Sequence, residues 1–199
     1  MAVVEAKAAW KTAGDGMQQA REYAEMLGLK FACATNGGEI IEFDYLIGRE
    51  TIISGYLSPA ELWARYRAGR GLSDDFAARL LTPMNHVVDK GERYYQALAV
   101  NRAVDGILTG SRRQLLTIAT GTGKTAVAFQ VCWKLWNARW NRAGDHRRPR
   151  ILFLADRNIL VELPKDGIFA SFGDARCKIE SGEAVKSRER KEIIQPAKK

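Results

Sequence analysis

Histidine is scarce in this chain. Only His86 and His146 occur, and neither stands near a cysteine pair, which excludes the usual zinc-ligand patterns. Cysteine is scarce too. Cys33, Cys132 and Cys177 are widely separated and odd in number, as expected of reduced thiols and not of a disulfide framework. No run approaches the roughly eighteen uninterrupted apolar residues of a membrane span. The first residues lack a basic stretch followed by an apolar one, so no secretory leader is expected. These absences point to a cytoplasmic protein with no membrane partner.

What is present is an ordinary globular composition with 46% hydrophobic residues and a net charge of +8. The charge is uneven. Residues 1–90 hold ten basic and twelve acidic side chains, a net of −2; residues 91–199 hold 21 and 11, a net of +10. A basic half suits a polyanionic partner, a nucleic acid or a nucleotide. A plain solubility bias is the alternative.

The patterning predicts an α/β chain. Residues 2–6 read as a buried strand, and a helix follows Gly14-Asp15-Gly16 as far as about Leu27. Phe31–Thr35 and Glu39–Asp44 read as strands joined through the turn Asn36-Gly37-Gly38, a hairpin. A helix-rich connector comes next, with Ser58 as N-cap and Pro59 at the first helical position of AELWARYR. GRGLSDD reads as a break. From about Gly91 the pattern changes to an amphipathic helix (RYYQALAVNRAVDGIL), a short apolar strand (QLLTIAT), a glycine-rich turn, and a long helix to about Asn141. The basic loop NRAGDHRRPR then leads into a second apolar strand, ILFLAD. Strand, turn, helix and strand make one βαβ unit of a parallel sheet. SRERKEIIQPAKK reads as a charged tail.

The segment ATGTGKT, Ala119–Thr125, is the most specific signal. Backbone N–H groups in such a loop converge on phosphate oxygens, and Gly121 and Gly123 leave no Cβ in the way. Thr120 and Thr122 belong to the same cradle. Lys124 is placed to reach the β- and γ-phosphates of ATP, the Thr125 hydroxyl to ligate Mg²⁺, and the following helix presents its positive end to the anion. The first position of the G-x-x-x-x-G-K-T pattern is Ile118 instead of glycine. Downstream, no Asp-Glu pair ends an apolar strand; Asp156, in LADR, is the one acid so placed. The chain is therefore expected to bind nucleotide and to be poorly equipped to hydrolyse it.

At the other end stands VVEAK. Glu5 and Lys7, two apart on a strand, share one face, as a metal-dependent nuclease requires of its carboxylate and lysine. A chance pair on a solvated face is the alternative. Gln19 and Tyr23, four apart, share one face of the following helix; a solvated glutamine beside a half-buried tyrosine is the alternative there. Trp133, Trp136 and Trp140 lie at i, i+3 and i+7, a stripe that reads as core. Arg142, Arg147, Arg148 and Arg150 crowd one loop suited to phosphate contacts, or simply form a solvated turn.

Taken together, AVVEAK, QQAREYAE, ATNGGEIIEFD, ELWARYR, RYYQALAVNRAVDGIL, LLTIATGTGKTAVAFQ, WKLWNARWN and RRPRILFLADRNIL resemble the restriction (R) subunit of type I restriction enzymes, over residues 2 to about 188. The resemblance implies a PD-(D/E)xK nuclease domain followed by two helicase-like RecA lobes. Such a subunit drives ATP-dependent DNA translocation and Mg²⁺-dependent cleavage of double-stranded DNA, in a prokaryotic complex with modification and specificity subunits. Carried onto this chain, residues 1–50 correspond to the back part of the nuclease domain, 51–90 to a helical connector, and 91–199 to the first part of RecA lobe one with its parallel sheet. Glu5 and Lys7 match the nuclease E-x-K pair, with Glu5 as a metal ligand, and Gln19 and Tyr23 match the Q-x-x-x-Y element beside it. Gln96 resembles the adenine-reading glutamine, with Tyr94 or Tyr95 alongside. Arg157 matches the first DNA-contact motif, and Arg147 and Arg148 are expected at DNA as well. The family's nuclease aspartate lies one strand before E-x-K and has no counterpart, since the chain begins four residues before Glu5. The likeness also fails after GEAVKSRE. The expectation is an interior slice of the subunit, binding ATP and DNA and cleaving nothing alone. The alternatives are another helicase-like ATPase with an unrelated front domain, and a non-enzymatic DNA-binding remnant.

Overall fold

A computed structural model describes residues 2–86, 93–156 and 159–179, together with the backbone of Val185–Lys186 and Ile193–Ile194. The chain forms two compact units, Met1–Leu81 and Thr82–Lys199.

The first unit is a four-stranded sheet in the order β1-β2-β3-β4, formed by Ala2–Ala6, Phe31–Thr35, Ile40–Asp44 and Arg49–Ile53. β1 runs parallel to β2, with Val3 opposite Ala32 and Glu5 opposite Ala34. A parallel neighbour requires a crossover, and α1 (Met17–Leu27) supplies it. The remaining pairs are antiparallel, with Thr35 opposite Ile40 and Ile40 opposite Ile53. The expected hairpin is therefore present. Its tip is built by Asn36, whose Oδ1 accepts from the N–H groups of Gly38 (3.0 Å) and Glu39 (2.9 Å). Gly37 takes φ +87°, a value that favours glycine.

Ala20 and Ala24 of α1 lie fully buried on Ala32, with Val3, Leu29, Phe43 and Tyr45 packed around them. Small side chains on the helix let it approach the sheet closely. The helix ends at Gly28 in the left-handed region (φ +70°).

Two sequence expectations for this unit change. β1 is not buried: it is paired only with β2 among the described residues, and Val4 on its outer face is 48% exposed. β4 occupies the stretch expected to begin a helical connector. RETII alternates too little to signal a strand, and pairing with β3 makes it one. The connector helices follow. α2 (Pro59–Arg70) starts on a capping box, with Glu61 N–H donating to Ser58 Oγ and Ser58 N–H to Glu61 Oε2. α3 (Asp74–Leu80) is capped by Ser73, so GRGLSDD is an ordered helix-to-helix turn through Gly71 (φ +61°).

In the second unit, α4 (Tyr94–Leu108) packs on α5 (Lys124–Asn137) through Val100, Ala103, Val104, Val127 and Leu135. α6 (Ile159–Asp166) and a 3-10 segment, Ile168–Ala175, follow. Phe129, Trp133, Trp136, Phe169 and Phe172 form one aromatic cluster, with ring centroids 5.4–6.0 Å apart between the contacting pairs. Trp133 and Trp136 are thus packing residues.

The parallel βαβ unit expected here does not form among the described residues. Residues 114–119 and 151–156 carry no strand pairing, and Leu115, Leu152 and Leu154 are 92%, 65% and 79% exposed. The physical reason is that parallel strands are stable when paired and covered on both faces, and among the described residues neither segment has a hydrogen-bonded neighbour. The last pairing is a two-residue antiparallel bridge, Val185–Lys186 with Ile193–Ile194. The rest of the expected charged tail lies outside the described residues.

Candidate functional site

Two sites were expected, one in each unit. In the first unit, Val3, Glu5 and Lys7 point to the same side of β1, and that side faces α1. Lys7 Nζ donates to Glu5 Oε1 at 2.8 Å and to Gln19 Oε1 at 2.8 Å. Gln19 Nε2 in turn donates to the Tyr23 hydroxyl at 2.8 Å. Glu5, Lys7, Gln19 and Tyr23 therefore form one hydrogen-bonded chain running from the strand onto the helix. The Glu5 and Lys7 side chains are about one-fifth exposed and Tyr23 lies at the surface. The arrangement keeps a carboxylate and an ammonium together at an opening, oriented by an amide.

Gly16 was missed by sequence reasoning. It is buried at the start of α1, and a Cβ there would stand 3.1 Å from Glu5 Cγ and 3.3 Å from Lys7 Cε. The absence of a side chain here lets the helix approach the pair without displacing either one. The signal was available: the second glycine of GDG, one turn before Gln19.

Asp44 and Asp15 do not join Glu5. Glu42 and Asp44 project from the opposite side of the sheet and are 4% and 5% exposed. Arg65 of α2 spans both, with Nη1 2.8 Å from Glu42 Oε1 and Nη2 2.5 Å from Asp44 Oδ2. Burial alone would lower the Arg65 pKa, and the hydrogen bonds and charges of the two carboxylates outweigh it and raise it. Asp15 accepts the Thr12 N–H at 3.1 Å. No group of three or more His, Cys, Asp or Glu side chains suited to a metal is found among the described residues. Glu5 is the one carboxylate of the hydrogen-bonded row, and a cation there could complete its shell with water or substrate phosphate, a coordination that Mg²⁺ tolerates.

In the second unit the loop before α5 is shaped by Gly121 (φ +79°) and Gly123 (φ +89°). Thr122 Oγ1 donates to the Ala119 carbonyl at 2.6 Å. Lys124 Nζ donates to the carbonyls of Ile118 (3.0 Å) and Ala119 (3.1 Å). The ammonium therefore rests on two acceptors that phosphate oxygens would replace, and its position fits a phosphate group. Gln96 Nε2 donates to the Thr122 carbonyl at 2.6 Å, and a Cβ at Gly123 would come within 2.5 Å of the same nitrogen. The structure so brings Gln96 onto the loop that the sequence placed 26 positions away. Tyr94 and Tyr95 make an edge-to-face pair at 5.7 Å beside it, with Tyr94 71% exposed. Thr120 is exposed and Thr125 half-buried.

The basic loop is organised by Asn141 and Asp145: Asn141 Nδ2 donates to Asp145 Oδ1 at 2.5 Å and to the Arg147 carbonyl at 2.7 Å. Arg147 pairs with Asp145 at 3.4 Å, and the Arg148 guanidinium lies 4.9 Å from the centre of the Trp136 ring. Both arginines already have partners, so their place at DNA would require exchange. Arg157 lies outside the described residues.

The family match follows the second unit: residues 89–197 match Type III restriction enzyme, res subunit. The chain belongs to that family. Over 93% of its length it is 39% identical to the Type I restriction enzyme EcoAI endonuclease subunit of Escherichia coli, and over 36% it is 42% identical to the EcoKI endonuclease subunit of the K12 strain. Among solved structures, a fragment described as an HsdR subunit of a type I restriction enzyme from Vibrio vulnificus YJ016 matches 94% of this chain and 33% of that one. The identity is 54% and the TM-score 0.79. The chain is therefore a homologue of type I restriction endonuclease subunits with a helicase-like domain. It spans about a quarter of the length of the EcoAI subunit, 23%, and 6% of the EcoKI subunit. The mixed α/β architecture agrees with that kinship. Among the described residues no helix is long and apolar enough to cross a membrane.

Proposed function

We propose that this chain carries two working parts of a cytoplasmic type I restriction subunit, a Mg²⁺-dependent nuclease site of the PD-(D/E)xK type and the nucleotide loop of a RecA-like lobe. Residues 1–50 then belong to the nuclease domain, 51–90 to a connector and 91–199 to the lobe. The observation that carries the reading is the bond from Lys7 to both Glu5 and Gln19. It joins strand and helix in one polar chain at an opening, where a merely solvated pair would leave Gln19 free.

In this reading Glu5 holds Mg²⁺, which when bound polarises a DNA phosphate and lowers the pKa of water. Lys7 orients that water and offsets charge on the phosphate. Gln19 keeps the ammonium directed, and Tyr23 closes the row toward DNA. At the second site Gly121, Thr122 and Gly123 offer backbone N–H groups to ATP, Lys124 leaves the carbonyls of Ile118 and Ala119 for phosphate oxygens, and Thr125 supplies a hydroxyl to Mg²⁺. Gln96 exchanges the Thr122 carbonyl for the adenine edge. Arg147, Arg148 and Arg157 contact double-stranded DNA. In the whole subunit these parts serve ATP-driven translocation and cleavage alongside modification and specificity subunits. The chain by itself binds ATP and DNA without turning either over, a reading supported by the absence, among the described residues, of any cluster of three or more side chains suited to a metal.

The test uses the purified chain. A fluorescent ATP analogue is expected to bind, and Lys124→Ala to abolish that binding. Plasmid DNA is expected to remain uncut with Mg²⁺. Steady phosphate release, or cutting that disappears in Glu5→Ala, would overturn the claim that the chain alone is inactive.

A further inference from the structure

Trp10 has no part in either site described above, and it is 86% exposed, the most exposed aromatic among the described residues. A solvated tryptophan on a loose loop would be unremarkable, since single apolar side chains are common on surfaces. This one is held. The Lys11 N–H closes a tight turn on the Ala8 carbonyl at 2.9 Å. Asn36 Nδ2, from the β2–β3 hairpin tip, donates to the Lys11 carbonyl at 2.9 Å, while its Oδ1 fixes that tip. Lys7 N–H donates to the Thr35 carbonyl at 2.8 Å at the foot of the same turn. The indole is thus displayed from a braced turn that begins where β1 ends. Trp10 lies three residues after Lys7, so chain length alone keeps the two Cα atoms within about 11 Å. Lys11, the next residue in the chain, is exposed as well and adds a positive charge to the same turn.

We infer that Trp10 is a DNA contact at the rim of the Glu5–Lys7 site, packing its indole on a sugar or base face of the strand delivered to Lys7. The inference rests on the nuclease reading of that site. A flat apolar ring packs on a sugar, or on a base left unstacked at a strand end, without reading its identity, because every base has a π-face. The contact therefore contributes affinity and position without reading sequence. Lys11 pairs with the adjoining phosphate, and the two make one combined stacking and charge contact.

The experiment measures fluorescence anisotropy of a short labelled duplex with a single-stranded overhang across a salt series, with and without Mg²⁺, for the parent chain, Trp10→Ala, Trp10→Phe, Lys11→Ala and Glu5→Ala. Thermal melts establish that each variant is folded. Trp10→Ala is expected to weaken binding roughly tenfold at every salt concentration, as loss of one stacked base would. Its log–log salt slope should equal the parent's, and Trp10→Phe should recover most of the affinity. Lys11→Ala should instead flatten the slope by about 0.9, the effect of one lost phosphate contact. Parent-like affinity in Trp10→Ala, a changed slope in that variant, a parent chain that binds no DNA, or self-association that disappears with Trp10 would each overturn the inference. The two readings separate cleanly. If Glu5→Ala removes the Mg²⁺ dependence while Trp10→Ala binds normally, the nuclease reading stands and the rim contact falls. If Trp10→Ala weakens binding while Glu5→Ala leaves the Mg²⁺ dependence intact, the contact stands and the nuclease reading falls.

Discussion

The two units treat their apolar strands differently. In the first, every strand finds a partner: β1 on β2, β2 on β3, β3 on β4. In the second, ILFLAD and QLLTIAT have stronger apolar runs than RETII, yet RETII is the one that becomes a strand. Composition nominates a strand, and hydrogen-bonding neighbours make it one. The same contrast marks the sites. The row of Glu5, Lys7, Gln19 and Tyr23 is tied across two elements of one sheet-and-helix layer. The loop Ala119–Thr125 is tied mostly to itself, through Thr122 and Lys124, with Gln96 anchoring it from outside.

The sharpest way to break this contrast is to weaken the first unit from the face away from its site. Arg65 neutralises two carboxylates that are almost wholly buried. Arg65→Ala leaves both unpaired, and stranded buried charges cost about 3 kcal/mol, the low end of the usual range because the arginine side chain is itself 36% exposed. Hydrogen-exchange protection of β2 and β3 amides should fall accordingly, while α4 and α5 amides keep theirs. Equal loss in both units would mean that they unfold together and that the contrast is one of appearance.

Glycine gives a second, smaller comparison. Gly123 sits at φ +89° with Gln96 Nε2 in the way of a side chain, whereas Gly16 has an ordinary backbone and only flexible side-chain carbons nearby. Gly123→Ala should cost about 1–2 kcal/mol from the left-handed backbone alone and should weaken binding of the ATP analogue. Gly16→Ala should cost less, about 1 kcal/mol or under, because Glu5 and Lys7 can shift by a few tenths of an ångström. Denaturant melts of the two variants rank them. A larger loss at Gly16 would mean that the Glu5–Lys7 row is far stiffer than the nucleotide loop.

Much of the first unit was legible because its signals are local. Asn36-Gly37-Gly38 dictates a hairpin, Ser58-Pro59 a helix start, and the two-residue spacing of Glu5 and Lys7 a shared face. The approach of Gln19 to Lys7 was legible only as a helix-face pairing with Tyr23, because the contact depends on Gly16 letting α1 close on β1. Arg65 was not legible at all. Nothing in AELWARYR says which arginine will reach through to the far face of the sheet. In the second unit the loop and its flanking helix were plain from ATGTGKT, and Gln96 meets that loop across 26 residues. The strands were over-read, since apolar runs carry no record of whether neighbours are present.

The smallest expected effect concerns the thiols, and it compares the units most directly. Cys33 is buried in the sheet of the first unit, Cys132 is half-buried on α5 of the second, and Cys177 is exposed. Burial pushes Cys33 up to about 11, with the Glu42 charge adding to it, and burial likewise pushes Cys132 up to about 11. Both stay protonated in the folded chain at pH 8, so neither presents the reactive thiolate. On unfolding, each reverts to an ordinary thiol of pKa 9.0. Stability held by keeping them neutral is therefore full below pH 9 and is lost as pH rises through 11. A thiol reagent at pH 8 should titrate Cys177 at once, Cys132 more slowly because it is half-buried, and Cys33 only through opening. A sheet with every strand paired should open less often than a helix pair beside unpaired strands, so Cys132 should react before Cys33. Reaction of Cys33 first, followed by mass spectrometry of the labelled peptides, would reverse the ranking of the two units.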